Sequence, residues 1–399
     1  MRDPAFEEWI EEARALPIAR ALDLVAPHHA IFKKSRYIGP CPGCGGVDRF
    51  SLNLKKNIFW CRKSAEGGDA IALARHVRSA EFLEAVELLT GRPAPGRTIS
   101  EEERQARAAR VAELEARRKA EAERAAAEQN DFRSREIERA RRIWRDAGPL
   151  KGSIAEAYLR HRDVEPGPGA KLRAVTDLPY WHNIDGAWRA IYSGPALVAA
   201  IQGTDQRFIG CHITWIDRTF STASGKAQIV HPETGELLDA KKVRGSQKGG
   251  HIHLGGEGHE RRLVVGEGIE TVLSVRCAEC LEGRLAPSLY WSSVNLHNLG
   301  GKSAGSVPHP SLTITDVKGR VRPQRVPGPQ PDPSDTAVMA PPEHVTEILL
   351  LGDGDSEHFT TRNVLLRFAA RWRRPGRAIR AAWAEQGADF NDMLRGAAA

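Results

Sequence analysis

Cysteine is scarce. Six Cys in 399 residues are too few to staple a disulfide scaffold, which excludes a small bridged secreted domain. Long apolar runs are missing too. None approaches the ~20 residues that a membrane helix needs, which excludes a helical integral membrane protein. The opening MRDPAFEEWIEEARAL is acidic and carries no apolar core, so the expectation is no secretory signal and a cytoplasmic location. Gly301-Lys302-Ser303 hints at a phosphate-binding loop, but the full motif requires Gly at 296, which is Leu296. No ATP-driven motor is therefore expected. A coiled-coil rod is excluded as well, and a reduced protein is expected.

What is present fits a multi-domain globular chain. Hydrophobic residues are 41% and charged residues 27%, enough to bury real cores. The length suits two or three domains. Lys and Arg total 58 against 51 Asp and Glu, a net +7, with a pI near 9.2. That excess suits an anionic partner.

The chain changes character several times. Residues 1–95 open with one helical pattern through Phe6, Ile10, Ala13, Leu16, Ala19 and Leu22, pass a Cys/Gly-rich stretch, and close with two short helices. Within residues 96–147 the run SEEERQARAARVAELEARRKAEAERAAAEQN is nearly all Ala, Glu and Arg, which predicts a long solvated helix used as a spacer. Residues 148–262 read as short strands with a basic, Gly-rich segment holding Lys226, Lys241, Lys242, Arg244 and Lys248. Its basic side chains suit either a phosphate-binding surface or an ordinary solvated loop. Residues 263–399 alternate strand and helix, which predicts an α/β layer with a mostly parallel sheet. Nine prolines within 308–342 predict an irregular insertion there.

The acids carry the most information. Glu267 follows the apolar run LVV, and Asp353 and Asp355 follow ILLL. Both positions are strand ends, where open parallel sheets collect their chemistry. The flanking glycines 266, 268, 352 and 354 let the chain turn sharply. Converging carboxylates repel one another, and a hard divalent cation such as Mg²⁺ relieves this. The blander possibility is that each acid is a loop or cap residue. Two such motifs in one small α/β unit favour the site.

VVGEGIETVLS and LLLGDGDSE, closed by GADFNDML, resemble the TOPRIM fold shared by primases, topoisomerases and some nucleases. The resemblance covers about 261–396. It implies that Glu267 acts as general acid/base or metal ligand, that Asp353 and Asp355 hold Mg²⁺ (or Mn²⁺), and that Asp389 or Asp392 supports the metal. The long gap between Glu267 and Asp353 departs from the family pattern.

Cys41-Pro-Gly-Cys44 and Cys61 bracket RFSLNLKKNIFW with zinc-ribbon spacing. A fourth ligand is expected at 64, which is Ser64. Three options follow: His28, His29 or His76 swings in, the site is open or weak, or the ribbon holds no metal. The string from GPCPGC to ALARHV, then FLEAVELLTG, resembles the N-terminal zinc-binding domain of phage and bacterial DNA primases. Arg49, Lys55, Lys56, Arg62 and Lys63 can meet phosphates. Phe50, Phe59 or Trp60 can stack on bases, or else fill the ribbon's core.

Two further groupings are expected to be structural. Cys277 and Cys280 share a helix face and read as core. His251 and His253 alternate along a strand and read as packed against polar neighbours.

The expectation is thus a multi-domain α/β chain: a zinc-ribbon-like domain (1–95), a charged helical linker (96–147), a mixed α+β basic subdomain (148–262) and a TOPRIM domain (263–399). The resemblance implies a DNA primase of phage or mobile-element type. Its partners would be a single-stranded DNA template, ribonucleoside triphosphates and a replicative helicase on a separate chain, with no membrane. The alternatives are a TOPRIM nuclease or topoisomerase-like enzyme and a non-catalytic single-strand-binding accessory protein. The five Tyr (37, 158, 180, 192 and 290) sit in no recognisable topoisomerase nucleophile domain.

Overall fold

Two compact units, Met1–Glu123 and Arg124–Ala399, divide the chain in a computed structural model of the protein. The structure describes residues 4–27, 29, 36–95, 116, 120, 123, 124, 127, 130–315 and 320–396.

The first unit begins with the helices Pro4–Ala15 and Ile18–Val25. The sequence pattern reads as one helix, but Pro17 breaks it, because a proline ring cannot sit mid-helix. Asn57 secures the break: its carboxamide oxygen accepts from the Ile18 amide at 2.6 Å, and its nitrogen donates to the Leu16 carbonyl at 2.9 Å. An antiparallel sheet follows, formed in chain order by Arg36–Cys41, Gly45–Asn53, Ile58–Cys61 and Glu66–Gly68. Asp69 then caps the helix Ala70–Arg78 by accepting from the Ala72 amide, and Phe82–Thr90 closes the unit. Trp9, Leu22, Phe50, Leu52, Phe59, Leu73 and Val86 form the core. Alternation decides the sheet's faces. Phe50, Leu52 and Phe59 point inward, while Ser51 and Trp60, a directly opposed pair, point out.

The second unit is organised by one ten-stranded mixed sheet. Four neighbouring strands are parallel: Ser288–Ser292, Arg262–Gly266, Glu347–Gly352 and Ala378–Trp383. Leu263, Val264 and Val265 are fully buried, as expected of a parallel strand covered on both faces. One core holds Val264, Val272 and Tyr290, and another holds Leu263, Val265, Leu350 and Phe368. The helices Ile269–Leu281 and His358–Trp372 make the crossovers. His251–Gly255 joins this layer antiparallel to Ser288–Ser292 and pairs on its other side with Ala187–Gln202. From there the sheet continues antiparallel through Phe208–Trp215 to Lys241–Gly245.

The basic segment and the parallel layer share one sheet, continuous through His251–Gly255 and parallel in the four strands just named. Two expectations are corrected. The end of the charged linker is no solvated spacer. Residues 130–146 are helical, with Ala140 buried and Ile143 and Trp144 packed against the antiparallel sheet. Residues 96–115 lie outside the described residues. Finally, the proline-rich insertion is partly ordered. Ser306–Thr315 and Val321–Pro327 pair as an antiparallel ribbon, which tolerates proline because both of its strands are edges.

Among the described residues, no helix is long and apolar enough to cross a membrane.

Candidate active site and metal centre

Arg262–Gly266 and Glu347–Gly352 are adjacent parallel strands, yet the chain leaves them in opposite directions across the sheet: one crossover leads to Ser288–Ser292, the other to Ala378–Trp383. This is a topological switch point, where α/β sheets open a crevice at their carboxyl ends. Glu267 and Asp353 are the residues that follow these two strands.

The loop Asp353-Gly354-Asp355 turns against the loop 384–388. The Gly354 amide donates to the Ala388 carbonyl at 2.9 Å, and the Gly387 amide donates to the Gly354 carbonyl at 3.0 Å. A Cβ on Gly354 would meet the Glu385 carbonyl oxygen at 1.9 Å, so only glycine permits this approach. The same contact brings Asp389 to the site. Glu267, Asp353, Asp355 and Asp389 all line one cavity of about 440 Å³. Asp392 serves differently: its side chain and that of Asp389 form a reciprocal cap on the helix Phe390–Leu394.

Electrostatics follow from this crowding. Burial, with Asp389, Asp355 and Glu267 adding to it and Thr271 opposing, pushes the Asp353 carboxyl up to about 7. Burial likewise raises Glu267, against the pull of Lys241 and the Leu296 amide. Asp353 Oδ2 accepts from the Thr271 hydroxyl at 3.1 Å, while Oδ1 is buried with no partner. A buried acceptor without a donor is costly unless something positive meets it. Hard oxygen donors facing one cavity, one of them orphaned, fit a divalent cation such as Mg²⁺.

Basic side chains share the cavity. Lys226, Lys241 and Lys242 line the same cavity, with His212 and Asp239. Sequence reasoning missed what holds these lysines. Glu270, buried on the helix after Glu267, lies 3.6 Å from the Nζ of both Lys226 and Lys241 and accepts from the Tyr158 hydroxyl at 2.5 Å. Burial would raise its carboxyl, but Lys241 and Lys226 hold it well below the usual carboxylate range. Nothing in IETV distinguishes Glu270 from a surface helix acid; only the fold turns it inward. Lys242 sits over the Tyr180 ring at 3.5 Å, and burial lowers it to about 8. Two basic candidates stand apart from the cavity lining. Arg244 lies over Trp188, and Lys248 pairs with Asp335 at 3.7 Å.

In the first unit, Cys41, Cys44, Cys61 and His76 bring their donor atoms within 4.8 Å of one another. Among the described residues, no other set of three or more such side chains gathers this closely; the carboxylates share a cavity without meeting that limit. Cys41 Sγ stands 3.1 Å from His76 Nε2, and Cys44 Sγ stands 3.4 Å from Cys61 Sγ. This Cys3His set suits zinc. The fourth donor comes from the helix after the ribbon. Glu66 hydrogen-bonds His76 Nδ1, which leaves Nε2 facing the thiols. Ser64 takes no ligand position. Burial would raise the Cys61 thiol, but hydrogen bonds led by Ser64 draw it down to about 6, while burial and the neighbouring Cys41 and Cys61 push the Cys44 thiol up to about 12. His29 lies instead against Tyr37 and Phe50. His28 lies outside the described residues.

On the ribbon, Phe50 and Phe59 are core residues and unavailable for stacking. Trp60 is 49% exposed. Arg49, Lys55, Lys56, Arg62 and Lys63 are all exposed, and the Arg62 amide bonds the Arg49 carbonyl, which places the two residues together. The expected structural roles of the other groupings hold in part. His251 is buried and stacks on Trp291, whose indole N–H donates to His253. Cys277 is half-buried, but Cys280 is exposed rather than core, since the inward position at the end of that helix belongs to Glu279.

Residues 134–254 match a family model described as a domain of unknown function (DUF7146). No curated protein matches the chain. Among solved structures, the chain is similar to the zinc-binding and RNA polymerase domains of the Aquifex aeolicus primase, at 16% identity over 98% of this chain and 82% of that one, with a TM-score of 0.34. It is similar to a DnaG primase catalytic domain bound to single-stranded DNA, at 12% identity over 68% and 78%, with a TM-score of 0.35. The primase fragment of the bacteriophage T7 primase-helicase matches at 12% identity over 90% and 95%, with a TM-score of 0.28.

Proposed function

We propose that the protein is a DNA primase that makes short RNA primers on single-stranded DNA by Mg²⁺-dependent nucleotidyl transfer. One observation carries the reading: a single cavity joins the acids Glu267, Asp353, Asp355 and Asp389 to the lysines 226, 241 and 242. Four carboxylates suit metal, and three ammonium groups suit a triphosphate. Their juxtaposition suits phosphoryl-type transfer, in which positioning and charge stabilisation supply most of the catalysis.

Asp353 and Asp355 would hold the cation, with Asp389 in support. The cation would neutralise charge developing on the transferred phosphorus group and its leaving pyrophosphate. Lys226 and Lys241, fixed by Glu270, would orient the phosphates. Glu267, its carboxyl raised by burial, would accept the proton of the attacking 3′-hydroxyl or share a second cation. In the first unit, zinc on the Cys3His set would stiffen the ribbon. Trp60 would then stack on a template base, with Arg49 and Arg62 on neighbouring phosphates. A replicative helicase would be supplied by another chain.

Primer synthesis on single-stranded DNA with labelled ribonucleotides and Mg²⁺ tests this. Short RNA made by the wild type and lost in both Asp353→Ala and Glu267→Ala supports it. Template degradation without RNA would instead identify a nuclease.

A further inference from the structure

Leu172–Ile184 pairs antiparallel with Ala187–Gln202, and the far end of this hairpin takes no part in the site just described. Asp185-Gly186 closes it as a two-residue turn with φ of +49° and +85°, the left-handed pair that matches a hairpin's twist. The Gly186 amide donates to Asn183 Oδ1 at 2.9 Å and stiffens the turn. Two large indoles stand exposed beside it: Trp181 at 43% and Trp188 at 61%. Trp188 pairs directly with Asn183, which is two residues along from Trp181. Both rings therefore share one face of the hairpin, in diagonal positions.

The strand Lys241–Gly245 ties this end to the cavity. Lys242 lines the cavity, donates to the Trp181 carbonyl and lies over the Tyr180 ring. Two residues on, Arg244 lies 6.0 Å from the centre of the Trp188 ring. Arg189, next to Trp188, is exposed. Lys242 and Arg244 are engaged with rings and a carbonyl, and no carboxylate pairs with them or with Arg189 among the described residues. Two acids are nearby: Asp185 in the turn, and Asp239, which lines the cavity with Lys242. Scattered exposed apolar residues are ordinary. Two tryptophans on one face of a stiff hairpin, flanked by guanidinium groups, instead suit flat apolar rings joined by anions. The bases of a single strand answer that description, whereas in a duplex the same faces are already stacked.

We propose that this hairpin face is a stacking platform for single-stranded nucleic acid running to or from the cavity. Bases lie against Trp188 and Trp181, and phosphates pass Arg189 and Arg244. The proposal rests on the primase reading for the strand's path, but its own test needs no synthesis.

The test is fluorescence anisotropy with the full chain, comparing a labelled oligo-dT with an abasic strand of equal length, which keeps the phosphates and lacks the bases. The wild type should prefer oligo-dT. Trp188→Ala should weaken oligo-dT binding about 5- to 150-fold, the worth of one stacked base, and leave the abasic strand's affinity unchanged. The salt slope should also stay the same, because no phosphate contact is removed. Trp181→Ala should act in the same direction, and Trp188→Phe should restore most of the preference for bases. Wild-type binding of oligo-dT in both alanine variants would overturn the platform. Equal losses on the two strands would overturn it too, since the rings would then not be reading bases. So would unchanged DNA binding combined with loss of a wild-type dimer in sedimentation velocity, which would make the indoles a contact between copies of the chain. If the wild type makes no RNA but Trp188→Ala still loses its preference for bases, the primase reading fails and the platform stands.

Discussion

Thr271 and Asp353, 82 positions apart in the chain, meet through a 3.1 Å hydrogen bond from the threonine hydroxyl to Asp353 Oδ2. The bond fixes the carboxyl's orientation and leaves Oδ1 buried and unpartnered. A buried acceptor left without a donor fits the cation proposed for this site.

Asp353 makes stability depend on pH and metal with a definite sign. Its folded-state value of about 7 lies above the ~3.9 of an unfolded chain. The metal-free folded protein then binds more protons than the unfolded one between these values. Its contribution is fully present below about pH 4 and is lost as pH rises through 7. Asp353→Asn should stabilise the metal-free protein at pH 8 by on the order of 1–2 kcal/mol after solvent screening. It should also abolish the rise in melting temperature that MgCl₂ gives the wild type, a rise larger at pH 8 than at pH 6. Melts with and without MgCl₂ at both pH values check this. A Mg²⁺-dependent rise that survives in the variant would remove Asp353 from the metal site.

At the Cys3His set, His76→Ala should lose stoichiometric zinc in the purified protein, whereas Ser64→Ala should retain it with weaker affinity. Metal content by emission spectroscopy and a chelator competition give the two readouts. Equal zinc in wild type and His76→Ala would mean that another residue completes the set.

The two faces of the small sheet should separate binding from stability. Trp60→Ala should weaken single-stranded DNA binding by about 1–3 kcal/mol, the usual worth of one stacked base, and leave the melting temperature nearly unchanged because the ring is already half exposed. Phe50→Ala should cost about 3–5 kcal/mol of stability, as core aromatics do. Anisotropy and urea unfolding distinguish the pair. Full DNA affinity in Trp60→Ala would deny the ring any contact with template.

The sequence by itself determined the strand–Gly–acid motifs at Glu267 and Asp353, the three cysteines at ribbon spacing and the parallel layer. Each depends on local pattern: apolar runs long enough for a buried strand, glycines where the chain turns, and thiols at ribbon spacing. Tertiary structure alone decided the rest. Glu270 becomes a buried counter-ion only because the fold brings it within 3.6 Å of the ammonium groups of Lys226 and Lys241. His76 becomes the fourth donor because its helix returns to the ribbon, 15 residues beyond Cys61. Continuity of the sheet through His251–Gly255, and the pairing of the proline-rich ribbon, likewise depend on partners distant in the chain. Such contacts leave no periodic trace in sequence, because each depends on which surfaces meet in space rather than on the order of neighbouring residues.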